Sequence, residues 1–162
     1  MPIDLDDVDI ALLDLLQQNA RYTAIELAER IGVSDNTVHN RIDRLENAGV
    51  IEGYTATVNL SAAGLDRFFH LSCTAQIRER SAVAAELITI PEVKQVTELM
   101  TGSNNLHVNL VGRDDADISR VAENVETYPV QINDEHLIRS DTTSPINLEA
   151  VFARSGQANT AE

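Results

Sequence analysis

The segment from Thr23 to Leu45 constrains the fold more than any other part of the chain. Thr23, followed three residues later by Glu26, has the spacing of a capping box, in which hydroxyl and carboxylate satisfy the free N–H groups that open a helix. Gly32 can adopt the positive φ that ends this helix, and Ser34 is a favoured N-cap for a second one. In that second helix, apolar residues recur at i, i+4 and i+7: Val38, Ile42 and Leu45. The segment therefore predicts a helix-turn-helix, with an ordinary helical hairpin as the alternative.

The flanking sequence extends this motif into a small domain. Three aspartates at positions 6, 7 and 9 precede an apolar stripe from Ile10 to Leu16, which predicts a first helix. Gly49 predicts the end of the third helix, and residues 50–58 (VIEGYTATV) favour a short β element. We therefore predict a winged helix-turn-helix domain over residues 1–58. Small residues around Gly64 predict a linker over residues 59–66.

The second half of the chain has a different period. Apolar and polar residues alternate from Arg67 to Ile77, from Val93 to Thr101, from Leu106 onward and from Val130 to Arg139, which predicts four strands. Two helices lie between them, one capped by Ser81 and one opened by aspartates. The order β-α-β-β-α-β predicts a ferredoxin-like domain over residues 67–145, so the fold class is α+β. Residues 146–162 are predicted to form a frayed C-terminal tail.

A ferredoxin-like sheet carries both helices on one face, so its other face is bare. Phe68, His70 and Val111 fall on that bare face, and we expect a second subunit to cover it. His70 and His107 lie there on central, adjacent strands, where they could share a metal ion, form a pH-sensitive contact or pack in the interface. Two histidines are too few for a strong metal site, and Cys73 points to the opposite face. We therefore predict interface packing and no metal site.

The charge of the chain opposes a nucleic-acid partner. Asp and Glu total 26 against 12 Lys and Arg, a formal net charge of −14, and residues 1–60 carry four arginines against eleven carboxylates. DNA-binding domains are usually basic. A halophilic host reconciles the two observations, because at molar salt the Debye length falls to about 3 Å and the mean repulsion of DNA is screened. The alternative is an acidic helical protein that never touches nucleic acid.

Two further features bear on the cellular setting. The single cysteine cannot form an intramolecular disulfide, which favours a reducing compartment. No apolar run approaches the ~18 residues that a membrane span needs, and the N-terminus lacks the pattern of a signal peptide. We therefore expect a cytoplasmic protein.

The combination of a winged helix-turn-helix and a βαββαβ domain resembles the Lrp/AsnC (feast/famine) family of transcriptional regulators. The resemblance rests on LDDVDI at residues 5–10, NAR at 19–21, RIDRLENAGVI at 41–51, Gly53-Tyr54 and Thr101-Gly102. It implies a regulator of metabolism that binds double-stranded DNA through paired winged helices. It also implies homodimers, often assembled into octamers, with amino acids as typical effectors.

The recognition helix supplies the candidate DNA contacts. Its apolar residues face the core, which leaves a polar set to reach outward: Ser34, Asn36, Thr37, Asn40, Arg41 and Arg44. Asparagine can pair with adenine and arginine with guanine, whereas Arg44, one turn later, is expected to meet phosphate. The alternative for each side chain is a solvated helix face, with Arg44 paired to Asp43 or Glu46.

The turn between the second and third predicted strands matches the turn before the family's small-molecule site. We predict an effector site formed by Thr101, Gly102, Ser103, Asn104 and Asn105. The family's turn usually reads Gly-x-x-Asp, and here Asn105 replaces the carboxylate that would pair with an ammonium group. We therefore expect a weak response or none to common amino acids, and a different small ligand held by backbone N–H groups.

An enzyme of the same architecture is the alternative. The siroheme decarboxylases also join these two domains and act on tetrapyrroles, and they would place His and Arg beside the ferredoxin-like domain. The sequence contains no nucleophile elbow, phosphate loop or metal-binding helix. We therefore predict a regulator without catalytic activity and without a cofactor.

Overall fold

The computed structural model describes residues 3–100 and 102–158, with side-chain surroundings described as far as residue 153. The chain divides into two compact units, which we call the helical unit (Met1–Thr57 with Thr143–Glu162) and the sheet unit (Val58–Thr142). Within the described ranges, no helix has both the length and the apolar character that crossing a membrane requires.

Six helices and four strands are found among the described residues. In chain order they are α1 (Asp7–Gln18), α2 (Ala24–Ile31), α3 (Asp35–Asn47), β1 (Arg67–Ala75), α4 (Arg80–Leu87), β2 (Val93–Glu98), β3 (Leu106–Gly112), α5 (Asp115–Val125), β4 (Val130–Leu137) and α6 (Leu148–Ala158).

The helix-turn-helix forms as the local signals predict. The Thr23 N–H donates to Glu26 Oε2 at 2.8 Å, so the capping box opens α2. Gly32 ends α2 with φ at 83°, a conformation that residues with a Cβ rarely adopt. Ser34 then caps α3 by accepting the Thr37 N–H. Apolar side chains of α1, α2 and α3 pack together and form the buried core of this unit: Leu12, Leu13, Leu27, Ala28, Val38 and Leu45.

The β element predicted over residues 50–58 is absent from the described structure. Residues 52–59 have neither helical nor strand structure, although the helix-turn-helix before them is complete. A strand is defined by its hydrogen-bonded ladder to a neighbour, and no described segment pairs with these residues. The prediction was wrong because strand propensity alone does not supply a pairing partner.

The predicted frayed tail is wrong for residues 148–158, which form α6. The N–H groups of Leu148 and Glu149 donate to the two carboxylate oxygens of Asp14, at 2.9 and 3.1 Å. The side-chain amide of Gln17 meets both the N–H and the C=O of Ile146. Leu148 packs against the core of the helical unit. Asn147 Oδ1 also accepts the Ala150 N–H at 2.7 Å, so α6 is capped by its own Asn147 as well as by Asp14 of α1.

The sheet unit has the predicted ferredoxin-like order. Its four strands are antiparallel neighbours in the order β2-β3-β1-β4, and apolar side chains of α4 and α5 fill one face. Leu71 and Cys73 of β1 and Val108 of β3 are fully buried there against Leu87 and Val125 of the two helices. Burial raises the pKa of the Cys73 thiol to about 11, with a further contribution from Glu135, so this cysteine is an inert core residue.

Several boundaries in the sheet unit differ from the predictions. Helix α4 begins at Arg80 with Glu79 at its N-cap, and the hydroxyl of Ser81 donates to Glu98 instead of capping the helix. Strand β2 ends at Glu98, before the predicted limit at residue 101, which itself lies outside the described residues. Strand β4 ends at Leu137, the last residue in register with β1, although the Ile138 N–H still donates to the Phe68 carbonyl. The local sequence does not reveal that Glu98 draws Ser81 away from the start of the helix.

Candidate nucleic-acid interface and effector turn

Helix α3 presents a polar stripe on its outward side. Val38 and Leu45 are buried, which fixes the rotation of the helix. Asn36, His39, Asn40 and Asp43 are exposed at i, i+3, i+4 and i+7, and thus lie on one face. Asp35, Glu46 and Asn47 extend the exposed surface toward the two ends. We call the four-residue stripe the outward face of α3.

Two of the predicted DNA-binding residues serve the start of the helix. The Ser34 Oγ accepts the N–H of Thr37 at 3.1 Å, and the two hydroxyl oxygens lie 2.8 Å apart. Thr37 is half-buried, whereas Ser34 remains exposed at the N-cap. Both side chains therefore stabilise the N-terminal turn of α3.

Arg41 and Arg44 turn back toward α1. Arg41 Nη1 lies 2.6 Å from Asp6 Oδ2 and 3.2 Å from Asp9 Oδ1, and Arg44 Nη1 lies 2.9 Å from Asp9 Oδ2. Arg44 Nη2 also donates to the carbonyl oxygen of Asp4. Asp9 is fully buried, so its carboxylate joins the start of α1 to the middle of α3. The predicted outward orientation of the two arginines was wrong, and Arg44 pairs with neither Asp43 nor Glu46.

Asp9 has a second role at the start of α1. Asp6 and Asp9 form a capping box, in which each carboxylate accepts the backbone N–H of the other residue. The hydrogen bond from the Asp9 N–H, followed by the contact with Arg41, lowers the pKa of Asp6, and the Asp6 contact raises the pKa of Arg41. Because a depressed carboxyl pKa stabilises the ionised native form, this contribution is present above pH ~4 and is lost on acidification.

The charge on the outward side of α3 is consequently negative. The exposed charged residues of the helix are Asp35, Asp43 and Glu46, whereas both of its arginines are paired with carboxylates of the first helix and its N-cap. His39 was not among the predicted contacts, although its spacing from Asn36 and its position beside Asn40 place it on the same face. Asp9 was not predicted as a partner of the arginines, because that contact joins two separate helices.

The predicted effector turn is held by the neighbouring strands. Gly102 has φ at 98°, and the Thr74 hydroxyl donates to the carbonyl oxygen of Ser103. Asn133 Nδ2 donates to Asn104 Oδ1 at 2.8 Å and to the Thr74 hydroxyl at 2.7 Å. Thr101 lies outside the described residues. In this turn the Ser103 carbonyl and the Asn104 side chain are therefore already engaged.

Asn105 does not face a ligand. Its side chain is 4% exposed, and Oδ1 accepts the Ala75 N–H at 2.9 Å while Nδ2 donates to the Ala75 carbonyl at 2.8 Å. The amide thereby takes the place of a peptide group and continues the pairing between β3 and β1. The side-chain amide of Asn105 therefore stabilises the turn and has a structural role.

Histidines form a row across the bare face of the sheet. The His70 ring lies between those of His107 and His136, with centroid distances of 4.7 and 6.2 Å. This confirms the predicted adjacency of His70 and His107. The prediction missed His136. A bulge beside Ser72 shifts the register of β4 against β1, so that His136 lies opposite His70 on the same face of the sheet. No group of three or more His, Cys, Asp or Glu side chains in the described ranges has a geometry that could hold a metal ion.

Comparison with known proteins agrees with this architecture. The family model described as winged helix-turn-helix DNA-binding matches residues 5–52. The HTH-type transcriptional regulator AldR of Mycolicibacterium smegmatis is 32% identical over 126 residues, which cover 75% of this chain and 73% of AldR. The crystal structure of the Mycobacterium tuberculosis leucine response regulatory protein LrpA matches with a TM-score of 0.75 and 26% identity, covering 86% of this chain and 96% of LrpA. This chain belongs to the Lrp/AsnC family of helix-turn-helix transcriptional regulators.

A further solved structure shares the fold at lower identity. A transcriptional regulator from Neisseria meningitidis, solved as a complex with L-Met, matches with a TM-score of 0.77 and 23% identity, covering 87% of this chain and 94% of that one. At that identity the likeness shows the fold alone. The predicted α+β architecture, a winged helix-turn-helix followed by a ferredoxin-like domain, is confirmed.

Asn105 marks where this Lrp/AsnC protein departs from the family's Gly-x-x-Asp turn. An ionised aspartate could accept the Ala75 N–H but could not donate to the Ala75 carbonyl, whose oxygen would then face a negative charge at hydrogen-bond distance. The asparagine is therefore matched to its buried position. From the sequence alone, the asparagine indicates only that the carboxylate charge of an aspartate is missing.

The Asn105→Asp substitution is accordingly expected to destabilise the sheet unit, by about 2 kcal/mol at neutral pH. Burial raises the pKa of a carboxyl group, and only the protonated acid can donate to Ala75, so the loss should grow as the pH rises through that pKa. Thermal unfolding at pH 4 and pH 8 measures both effects. Asn104→Asp is the matched control, because a carboxylate there can still accept the hydrogen bond from Asn133. Equal stability of Asn105→Asp and the native protein at pH 8 would contradict this role.

Proposed function

We propose that this regulator recognises specific double-stranded DNA sequences through the outward face of α3. The observation that carries the proposal is the exposure of Asn36 and Asn40 on one side of the N-terminal half of this helix. Residues in that part of a recognition helix contact base edges in the major groove, and asparagine forms paired hydrogen bonds with adenine. Ser34 and Thr37 would contribute near the phosphate backbone. Arg41 and Arg44 would act as positioning residues that fix α3 against α1.

We further propose that binding takes place at high salt, in the cytoplasm of a halophilic prokaryote. The three exposed carboxylates of α3 would repel phosphate at low ionic strength, and the arginines nearest to them are occupied by Asp6 and Asp9. Molar salt screens this repulsion beyond about 3 Å but leaves direct hydrogen bonds intact. The formal net charge of −14 supports the same setting.

The assembly that we propose is a homodimer through the bare face of the sheet, with octamers built from dimers. Phe68, Val111 and the histidine row occupy that face, and only Asp134 among the described carboxylates accompanies the histidines on it. A surface with so little charge, on a strongly acidic chain, lets a second copy approach without repulsion. The histidines would then pack within the interface.

A small-molecule effector is proposed to act at the turn of Gly102, Ser103 and Asn104, with residue 101 beside it. The L-Met complex of the Neisseria meningitidis relative supports a small-ligand site on this fold. The engagement of Asn105 by Ala75 supports the expectation that common amino acids bind weakly, since this residue offers no carboxylate to an ammonium group. The names of the relatives support a regulator and not a tetrapyrrole decarboxylase.

The proposal is tested by selecting a preferred operator from random DNA and measuring how variants of α3 bind it. Asn40→Ala should weaken binding to that operator roughly 5- to 150-fold, the equivalent of about 1–3 kcal/mol, and should relax the preference at one base pair. Asn47→Ala is the control, because this exposed asparagine lies at the opposite end of the same helix. Equal losses from both substitutions, or none from Asn40→Ala, would contradict contact through the outward face.

A further inference from the structure

The helical unit contains one histidine, and it lies in the middle of the outward face of α3. His39 is exposed between Asn36 and Asn40, whereas the other three histidines of the chain belong to the sheet unit. In the described part of the chain, His39 has no hydrogen-bond or ion-pair partner. Both ring nitrogens are therefore available to a ligand. We infer that His39 contacts DNA directly as an imidazolium and couples operator binding to the uptake of one proton.

The surrounding charges favour this role. On its own helix, the nearest titratable groups are Asp35 and Asp43, one turn before and one turn after His39. On α1, the carboxylates of Asp6 and Asp9 are bound to Arg41 and Arg44. An imidazolium would therefore be the one cation on the outward face that no described carboxylate pairs with in the free protein.

Helix α2 carries one cation, Arg30, and its guanidinium is engaged with an aromatic ring. Its Arg30 lies over the Tyr22 ring at 4.5 Å, and Glu26 is engaged in the capping box with Thr23. The remaining charged residue of α2, Glu29, is exposed and acidic. His39 is thus the side chain on this surface whose ring nitrogens are free to meet phosphate or a base edge.

The chemistry of the ring gives the coupling its sign. A neutral imidazole has one N–H donor, whereas an imidazolium has two and carries a positive charge. Guanine N7 and O6 and the phosphate oxygens are all acceptors, so each of them is bound better by the protonated ring. Operator binding through His39 would therefore be accompanied by uptake of a proton, and the affinity would rise as the pH falls.

High salt makes this coupling a test of direct contact. At molar ionic strength, charges separated by more than about 3 Å scarcely interact. A histidine that merely sits near the duplex would then show no proton linkage, whereas one that donates to DNA would keep it. The inference rests on the proposed DNA-binding function and specifies one of its contacts.

The experiment measures equilibrium binding of the full chain to its selected operator between pH 5.5 and 8.5 in 1 M KCl. The native protein should lose roughly tenfold in affinity between pH 6 and pH 7.5, because the logarithm of affinity can fall by up to one per pH unit when one proton is released. His39→Asn should bind at every pH as the native protein does at pH 8.5, or more weakly, without a slope. His136→Asn, at an exposed histidine of the sheet unit, should keep the full slope.

The outcomes separate this inference from the proposed function. Sequence-specific binding whose pH slope survives in His39→Asn would overturn the inference and leave the function in place. A flat profile in the native protein would do the same. A slope that disappears in His136→Asn would assign the proton to the histidine row. If the native protein binds no DNA with sequence preference at any pH, the proposed function and the inference are both wrong.

Discussion

Replacing Asp9 with alanine is expected to lower the free energy of unfolding of the helical unit by about 3 kcal/mol, the low end of the cost of breaking a buried ion pair. Asp9 is fully buried, and its carboxylate binds Arg41, Arg44 and the Asp6 N–H. The estimate lies at the low end because the two arginine side chains are 28% and 39% exposed, so water can partly replace the lost partner. Thermal or chemical unfolding, followed by helical circular dichroism, measures the loss.

Asp7→Ala is the matched control for this prediction. Asp7 lies in the same first turn of α1 but is exposed, so its removal should cost only the few tenths of a kcal/mol of a helix-dipole interaction. Asp9→Asn provides a second comparison, because the amide oxygen can still accept one hydrogen bond while the charge is lost. Its stability should fall between those of the native protein and Asp9→Ala. If Asp7→Ala and Asp9→Ala were equally stable, Asp9 would not be the link between α1 and α3.

The two-helix motif could be predicted from sequence because its signals are local. The Thr23–Glu26 capping box, the positive φ of Gly32 and the Ser34 cap each depend on residues within one turn of each other. The strands of the sheet unit could also be predicted, since the alternation of apolar and polar residues shows which face of a strand packs against the helices. The helix caps, the glycine turn and the strand alternation all favour the same backbone, and the fold class can therefore be predicted from them.

Contacts between distant residues were not predictable in this way. An arginine with polar neighbours on a helix has a long, flexible side chain, and the sequence does not reveal that Asp9 draws Arg41 and Arg44 inward. Asn105 likewise has no local signal for its pairing with the Ala75 backbone. Helix α6 has a local cap in Asn147, but the sequence does not reveal that Asp14, on the first helix, accepts two more of its N-terminal N–H groups. In each case the partner is brought close only by the fold.

These contacts change the interpretation of the candidate site more than that of the fold. Arg41 and Arg44, which suggested a positively charged DNA-binding helix, are paired with carboxylates. The outward face of α3 instead presents amide, imidazole and carboxylate groups. Recognition by such a surface would depend on short hydrogen bonds to base edges, with little general attraction to phosphate. We therefore propose that this regulator binds specific DNA without the usual electrostatic contribution of its recognition helix.

The salt dependence of operator binding is the measurement that tests this claim most directly. A protein that neutralises 6–10 phosphates loses about 10³–10⁵ in affinity between 50 and 200 mM salt, because binding releases counterions. Here residues 1–60 carry eleven carboxylates against four arginines, and the carboxylates oppose that release because cations must enter the interface to offset them. Titrating the selected operator from 0.1 to 3 M KCl, with a scrambled duplex as control, is expected to give specific binding that stays level or strengthens. A steep loss of affinity with rising KCl would contradict the account.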